Sequence, residues 1–246
     1  MAADRSAIEW TESTWNPVTG CSKVSPGCAH CYAETLSRRF GWSRSAWTPA
    51  NAATNVILHP ERLTTPLRWR RPRMIFVNSM SDLFHELVPL SFIEEVFTVM
   101  ASARWHTFQV LTKRAERLAE LAPMLDWPAN VWMGVSIENN RWAHRADYLR
   151  EVPAAVRFIS AEPLLGPLDQ LELDGIDWLI AGGESGPRHR TVEPIWVIGL
   201  RDRCEADGVA FFLKQWGGRT PKSGGRELDG RTWDEMPKQR FVPAGV

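Results

Sequence analysis

Six short apolar runs set the rhythm of this chain and restrict its fold more than any other feature. They are Met74–Val77, Phe108–Leu111, Val131–Val135, Val156–Ile159, Trp178–Ala181 and Val209–Leu213, with starts roughly 20 to 35 residues apart. The gaps between them carry helix-like patterns at Phe92–Ala103, Arg114–Leu121, Trp142–Arg150 and Pro194–Ala206. Alternation of this kind is expected of a parallel sheet with covering helices. A further strand falls within Trp10–Gly20, making about seven, short of the eight of a closed barrel. The expected fold is therefore α/β, a partial, open (β/α)6-type barrel of mostly parallel strands, with a flat doubly wound sheet as the alternative. No Gly- or Ser-rich linker divides the chain before residue 217. One domain over 1–216 follows, with 217–246 read as an extended tail or lid.

The polar residues sit at one end of those runs. Met74–Val77 leads into Asn78-Ser79-Met80-Ser81-Asp82, Phe108–Leu111 into Thr112-Lys113-Arg114, and Val131–Val135 into Ser136-Ile137-Glu138-Asn139. Val156–Ile159 ends in Ser160-Ala161-Glu162-Pro163, Trp178–Ala181 in Gly182-Gly183-Glu184-Ser185, and Val209–Leu213 in Lys214-Gln215-Trp216. Parallel α/β folds build their sites at the carboxyl ends of the strands. Ser79, Ser136 and Ser160 taken singly read equally well as helix caps. Lys113, Glu138, Glu162, Glu184 and Lys214 do not, being long charged groups beside buried strands.

Three of the four cysteines fall within eleven residues: Cys21, Cys28 and Cys31, spaced Cys-x6-Cys-x2-Cys. Pro26 and Gly27 between them favour a loop, which can turn three thiols toward one centre. A helix is expected over Cys31–Phe40, with Glu34 early and Arg38 and Arg39 late, as the helix dipole prefers. Three readings compete for the loop. A structural zinc wants four ligands, and His30 is the one nearby candidate for the fourth. Disulfides would leave one thiol over and need an oxidising compartment. A [4Fe–4S] cluster on three cysteines leaves one iron open to a small molecule, which accounts for the count stopping at three. Cys204, within a helix-like stretch, reads as a buried thiol that binds no metal.

Charge and hydropathy narrow the classes further. Lys+Arg and Asp+Glu each number 29, so no global field draws polyanions to the chain. No apolar stretch approaches the ~20 residues of a membrane span, and Asp4, Arg5 and Glu9 interrupt any leader-like start. A cytoplasmic protein without a membrane partner is expected. Between 41 and 73 the chain is irregular, with Trp42, Trp47 and Trp69 interleaved among Arg44, Arg68, Arg70, Arg71 and Arg73. Cations beside flat rings suit nucleic acid, and a solvated surface loop has the same composition. Most of the thirteen tryptophans are expected to be packing residues.

The segment Trp15-Asn16-Pro17-Val18-Thr19-Gly20-Cys21 with Cys28-Ala29-His30-Cys31-Tyr32-Ala33-Glu34 resembles the cluster loop of radical S-adenosylmethionine (SAM) enzymes. It is most similar to the spore photoproduct lyase-like branch, and within that to the phage-associated three-cysteine-motif family. The narrower likeness extends to Ser79–Phe84, Leu111–Arg114, Ser160–Leu164 and Gly182–Gly186. Most radical SAM enzymes use Cys-x3-Cys-x2-Cys with an aromatic residue before the last cysteine. Here the first gap is longer and His30 takes that place.

The resemblance implies a [4Fe–4S] cluster on Cys21, Cys28 and Cys31, and SAM as the second cofactor. It implies reductive cleavage of SAM and hydrogen abstraction from a substrate, with an electron donor such as flavodoxin or ferredoxin. At the rim, Ser79, Ser81 and Asp82 are assigned to the ammonium of SAM, Lys113 to its carboxylate and Glu138 to its ribose, with Ser136 beside it. Glu162 and Glu184 are assigned to substrate or adenine, and Tyr32 and His30 to the pocket wall, where Tyr32 reads equally as a packed aromatic. A nucleic acid engaged through Arg68, Arg70, Arg71 and Arg73, for modification or repair, and a methyltransferase-like protein partner complete these expectations. The alternative is a zinc- or cluster-stabilised nucleic-acid-binding module without turnover.

Overall fold

Each apolar run becomes a strand, and each strand pairs with its neighbour in sequence. A computed structural model of the protein describes residues 6–237. In chain order the elements are β1 (Ser13–Trp15), β2 (Val18–Thr19), α1 (Tyr32–Arg39), α2 (Ala52–Asn55), β3 (Ile57–Leu58), β4 (Met74–Val77) and α3 (Leu90–Ser102). They continue with β5 (Thr107–Thr112), α4 (Ala115–Leu121), β6 (Val131–Ser136), α5 (Arg145–Arg150), β7 (Val156–Ala161), β8 (Trp178–Gly182), α6 (Pro194–Asp207), β9 (Ala210–Gln215), β10 (Glu227–Leu228) and β11 (Arg231–Thr232). The main sheet has seven strands in the order β1-β4-β5-β6-β7-β8-β9, all parallel.

Sequential parallel order means every crossover returns on the same side, so one face of the sheet receives all the helices. Ile93 and Val96 of α3, Leu118 of α4, Leu149 of α5 and Leu200 of α6 pack there against Ile75, Val110, Met133 and Leu179. The crossover from β7 to β8 carries no helix; Leu168, Leu171, Leu173 and Ile176 of an irregular segment cover the sheet instead.

The other face must bury itself, and it does so by curling. Phe76, Trp132, Phe158, Trp178, Ile180 and Phe212 form one buried cluster there with Trp10, which precedes β1 and meets Phe76, Phe158 and Trp178 directly. The Trp10 ring lies 4.7 Å from Phe76 on β4 and 6.1 Å from Trp178 on β8. A flat sheet would hold those two strands about 19 Å apart. The sheet is thus a half-barrel, and the flat alternative is ruled out. Gly134 makes this possible locally, because any Cβ there would stand 2.4 Å from the Phe158 ring. The aromatic plug fills the amino end of the barrel and leaves the carboxyl end as a mouth.

Residues 217–237 do not trail away as an extended tail. Leu213 N donates to Trp233 O (2.9 Å) and Glu235 N to Phe211 O (3.2 Å), so residues 233–235 run antiparallel along the free edge of β9. Leu228 and Trp233 are buried in the outer core. An unpaired edge strand invites association with other chains, and covering it removes that hazard. Residues 238–246 lie outside the described residues. Among those described, no helix is long and apolar enough to cross a membrane.

Candidate functional site

The cysteine loop is delivered to the mouth by a tight passage at Gly20. This residue bridges Ser81 beyond β4, has φ +80°, and would place a Cβ 1.9 Å from the Asn55 carbonyl, so glycine is required. Asn16 secures the same corner, its Oδ1 accepting from Met80 N at 2.9 Å. From Cys21 the loop runs across the mouth and ends at Cys31, which caps α1.

Four strand ends hold the loop. Beyond β4, Ser79 O accepts from the Tyr32 hydroxyl at 2.7 Å. After β5, Arg114 donates to Ser22 O (3.2 Å), Ser22 Oγ (3.1 Å) and Cys21 Sγ (3.6 Å). After β6, Glu138 accepts from Ser25 Oγ, and after β8, Glu184 meets His30 Nδ1 at 2.9 Å. Arg190 pairs with Glu184 and reaches Pro26 O at 3.0 Å.

Each charged group at this rim is neutralised by another. Asp82 accepts from Phe84 N, Thr112 Oγ1, Lys113 N and Arg114 Nη1, at 2.7 to 3.2 Å. Arg114 also meets Glu86 at 3.0 Å. Burial alone would lower the Arg114 pKa, but Asp82, Cys21 and Glu86 outweigh it and raise it. Glu138 is fully buried between Arg145 (3.0 Å) and Lys113 (4.0 Å). Burial would lift the Glu184 carboxyl, yet hydrogen bonds from Arg190 and His30 prevail and hold it at about 2. Glu162 and Lys214 form an ion pair over β8, where a Cβ at Gly182 would come within 3.3 Å of Glu162. His85 is buried; its Nδ1 accepts from Leu87 N (3.1 Å), so Nε2–H donates to Ser22 Oγ (2.9 Å).

All three loop thiols are free and half-buried. They lie near enough for charges on Cys28 and Cys31 to raise the Cys21 thiol, and for Cys28 to raise Cys31. Burial, followed by the Asp82 charge, pushes Cys21 up to about 12. Cys31 is also raised by burial, while hydrogen bonds from the Glu34 and Ala33 backbone work against it. Among the described residues, no three Cys, His, Asp or Glu side chains close around a single ion. A cluster with three cysteine ligands places each sulfur on a different iron, so its thiols need not meet at one point. Soft sulfur donors, backbone N–H groups at Cys31 and a guanidinium at Cys21 are the surroundings that stabilise cluster thiolates. By donor chemistry three soft sulfurs fit an iron–sulfur cluster, while His30, whose Nδ1 is held by Glu184, keeps Nε2 as a nitrogen donor beside them.

Residues 5–237 match the model of one protein family, described as protein of unknown function (DUF5131). The chain belongs to that family. No curated protein matches it. Among solved structures it is similar to a spore photoproduct lyase complexed with dinucleoside spore photoproduct, at 14% identity and TM-score 0.46, over 73% of this chain and 58% of that one. A cysteine-to-serine mutant of the lyase gives 14% identity and TM-score 0.48, over 78% and 60%. The chain thus spans about three-fifths of the length of these lyase chains.

In this DUF5131 protein the candidate residues fall into two groups. Ser79, Asp82, Lys113, Ser136, Glu138, Glu162 and Glu184 stand at the mouth with the thiols and Tyr32. Ser81 donates to Val18 O at 2.8 Å and serves the corner that holds Gly20. Asp82 and Glu138 have their oxygens occupied by internal partners, whereas Lys113, Glu162 and Lys214 keep partial exposure. The basic segment lies elsewhere. Arg68, Arg70, Arg71 and Arg73 immediately precede β4, and Arg73 O accepts from Thr107 N at the start of β5, so they occupy the plugged end of the barrel. Trp47 is buried. The sequence pattern does not mark Ser25, His85, Arg145 or Arg190, and it places Arg114, two residues past the end of β5, at the strand end without a role of its own. Cys204 is fully buried on α6, its thiol pushed up to about 12 by burial.

Proposed function

We propose that this protein is an iron–sulfur enzyme of the radical SAM type, in which Cys21, Cys28 and Cys31 hold a [4Fe–4S] cluster and SAM takes the open iron. The observation carrying this reading is the gathering of three free thiols at the mouth of a half-barrel, with Arg114 and backbone N–H groups aimed at two of them. The likeness of the cysteine loop to radical SAM sequences supports it. When bound, such a cluster would supply the one electron needed for reductive cleavage of the C5′–S bond of SAM to methionine and a 5′-deoxyadenosyl radical, which would take hydrogen from a substrate.

The chain's own residues bind, orient and exclude. Arg114 fixes Cys21, and the first turn of α1 fixes Cys31. Lys113 presents an ammonium for the SAM carboxylate. Glu162 and Lys214 offer a paired acceptor and donor to the substrate. The Trp10 and Phe158 plug keeps water from entering behind the site. A nucleic acid is the substrate class this reading favours, and a small ferredoxin- or flavodoxin-like protein is the electron donor.

Anaerobic reconstitution tests the cluster: about four irons and four sulfides per chain are expected, with loss on Cys21→Ala, Cys28→Ala or Cys31→Ala. One tightly bound zinc in place of iron would establish the zinc module instead. Incubation with SAM and a strong reductant should then yield 5′-deoxyadenosine. A loaded protein that forms none is a cluster-bound module without turnover.

A further inference from the structure

We infer that the end of α1 carries a landing surface for single-stranded nucleic acid, built on Phe40 and Trp42 and flanked by Arg38, Arg39 and Arg44. This deepens the proposed function and rests on it for its meaning, though not for its test.

The turn after α1 presents the rings rather than hiding them. Gly41 has φ +69°, Gly41 N donates to Arg38 O (3.2 Å) and Trp42 N to Ser37 O (2.8 Å). This is the Schellman closure, in which a left-handed glycine ends the helix and redirects the chain. It sets Phe40 and Trp42 side by side, centroids 5.0 Å apart and planes 26° from parallel. They remain 56% and 45% exposed. Stacking on each other explains their proximity but not that exposure. Trp10, Trp15, Trp47, Trp178 and Trp233 are all buried, so the fold does not lack places for aromatic rings.

Their surroundings choose the partner. Arg38, Arg39 and Arg44 are exposed, and the Arg39 guanidinium lies 5.9 Å from the Phe40 ring centre. From Thr35 to Pro60 the sequence contains no Asp or Glu. Cations track phosphates while flat rings stack on unpaired bases, and duplex DNA offers no unstacked base to such a platform. A purely acidic protein would use the arginines and leave the rings without a role.

The surface is also held at the correct end of the molecule. The eight residues of α1 span about 12 Å between Cys31 and the platform. The segment beyond it is clamped to the cysteine loop: Trp47 N donates to Glu34 Oε1 (2.9 Å), Lys23 N to Trp47 O (3.2 Å), and Lys23 pairs with Glu34 (2.9 Å). A strand stacked on Phe40 and Trp42 therefore approaches from beside the thiols. Arg70 and Arg71, at the plugged end, are in no position to deliver it.

The test is fluorescence anisotropy of a labelled 20-nucleotide DNA strand titrated with the full, anaerobically reconstituted chain. The single strand should bind more tightly than its duplex. Phe40→Ala and Trp42→Ala should each weaken binding about five- to a hundredfold, with unchanged circular dichroism because both rings are exposed. Replacing Arg38, Arg39 and Arg44 together by Gln should flatten the salt dependence by about two units of log–log slope, while Arg70→Gln with Arg71→Gln should leave affinity unchanged. Absence of binding, equal affinity in Trp42→Ala, preference for duplex, or equal competition by polyglutamate overturns the proposal. SAM cleavage by the wild-type chain is measured without the strand. Cleavage without binding removes the platform alone, and binding without cleavage removes the enzyme reading alone.

Discussion

The Nη1 nitrogen of Arg114 stands 3.6 Å from the sulfur of Cys21 and 3.2 Å from Oδ2 of Asp82. One buried guanidinium thereby ties the first cysteine to the ends of β4 and β5. Arg114→Met should destabilise the protein by about 3–5 kcal/mol, because Asp82 is left as an uncompensated buried charge. Adding Asp82→Asn should recover part of that loss. Arg114→Lys keeps the charge without the fork that spans Ser22, Glu86 and Asp82, so it should fold better than Arg114→Met yet still retain less iron. Urea midpoints and iron content after reconstitution separate these effects.

Glu184 gives the loop a defined sensitivity to acid. Its carboxyl is held at about 2, against an ordinary value of 4.5. A depressed carboxylate contributes stability that is fully present above the unfolded value and is lost as pH falls toward the folded one. Between pH 4.5 and about 2, the urea midpoint of the wild type should therefore fall more steeply than that of Glu184→Gln. Parallel curves for the two proteins would show that the Arg190 and His30 contacts do not stabilise the folded state.

The strands were legible because parallel strands buried on both faces leave short continuous apolar runs, and Met74–Val77 and Trp178–Ala181 match β4 and all but the last residue of β8. The helices from sequence agree with α3, α4 and α6 to within two residues. The crossover after β7 was not legible as structure, since Leu168, Leu171, Leu173 and Ile176 bury themselves without helical periodicity. The C-terminal cover was hidden for another reason: Trp233 sits amid Gly, Lys and Arg that resemble a tail, and only its pairing with Leu213 reveals an edge strand being closed. At the site, cysteine spacing and strand-end charges point to the carboxyl end of the barrel, where the structure brings the cysteine loop against Arg114, Glu138 and Glu184. The arginines that neutralise those carboxylates escaped notice, because a buried Arg145 and a surface Arg141 look alike until their neighbours are known.

Trp233 makes the C-terminal segment part of the fold. It is packed in the outer core, its Nε1 donates to Leu228 O at 3.1 Å, and the guanidiniums of Arg231 and Arg201 lie 3.5 and 5.0 Å from its ring centre. Trp233→Ala should cost about 3–5 kcal/mol. Ending the chain after Trp216 should expose the edge of β9 and produce aggregation, which size-exclusion chromatography would detect. A stable, monomeric 1–216 fragment would return this segment to the status of a tail.

Two glycines separate the demands of the loop from those of the scaffold. A Cβ at Gly27 would stand 2.4 Å from Oε1 of Glu138, and that carboxylate cannot retreat freely because Arg145 and Ser25 hold it. Gly27→Ala should therefore push the segment between Cys21 and Cys28 outward, at a cost of about 1–3 kcal/mol, and lower the iron retained after desalting. A Cβ at Gly199, inside α6, meets nothing within 4 Å. Gly199→Ala should raise stability by about 0.5–1 kcal/mol with iron content unchanged. If Gly27→Ala loads iron as fully as Gly199→Ala, the contact with Glu138 does not position the thiols, and the loop must be reaching its working shape by another route.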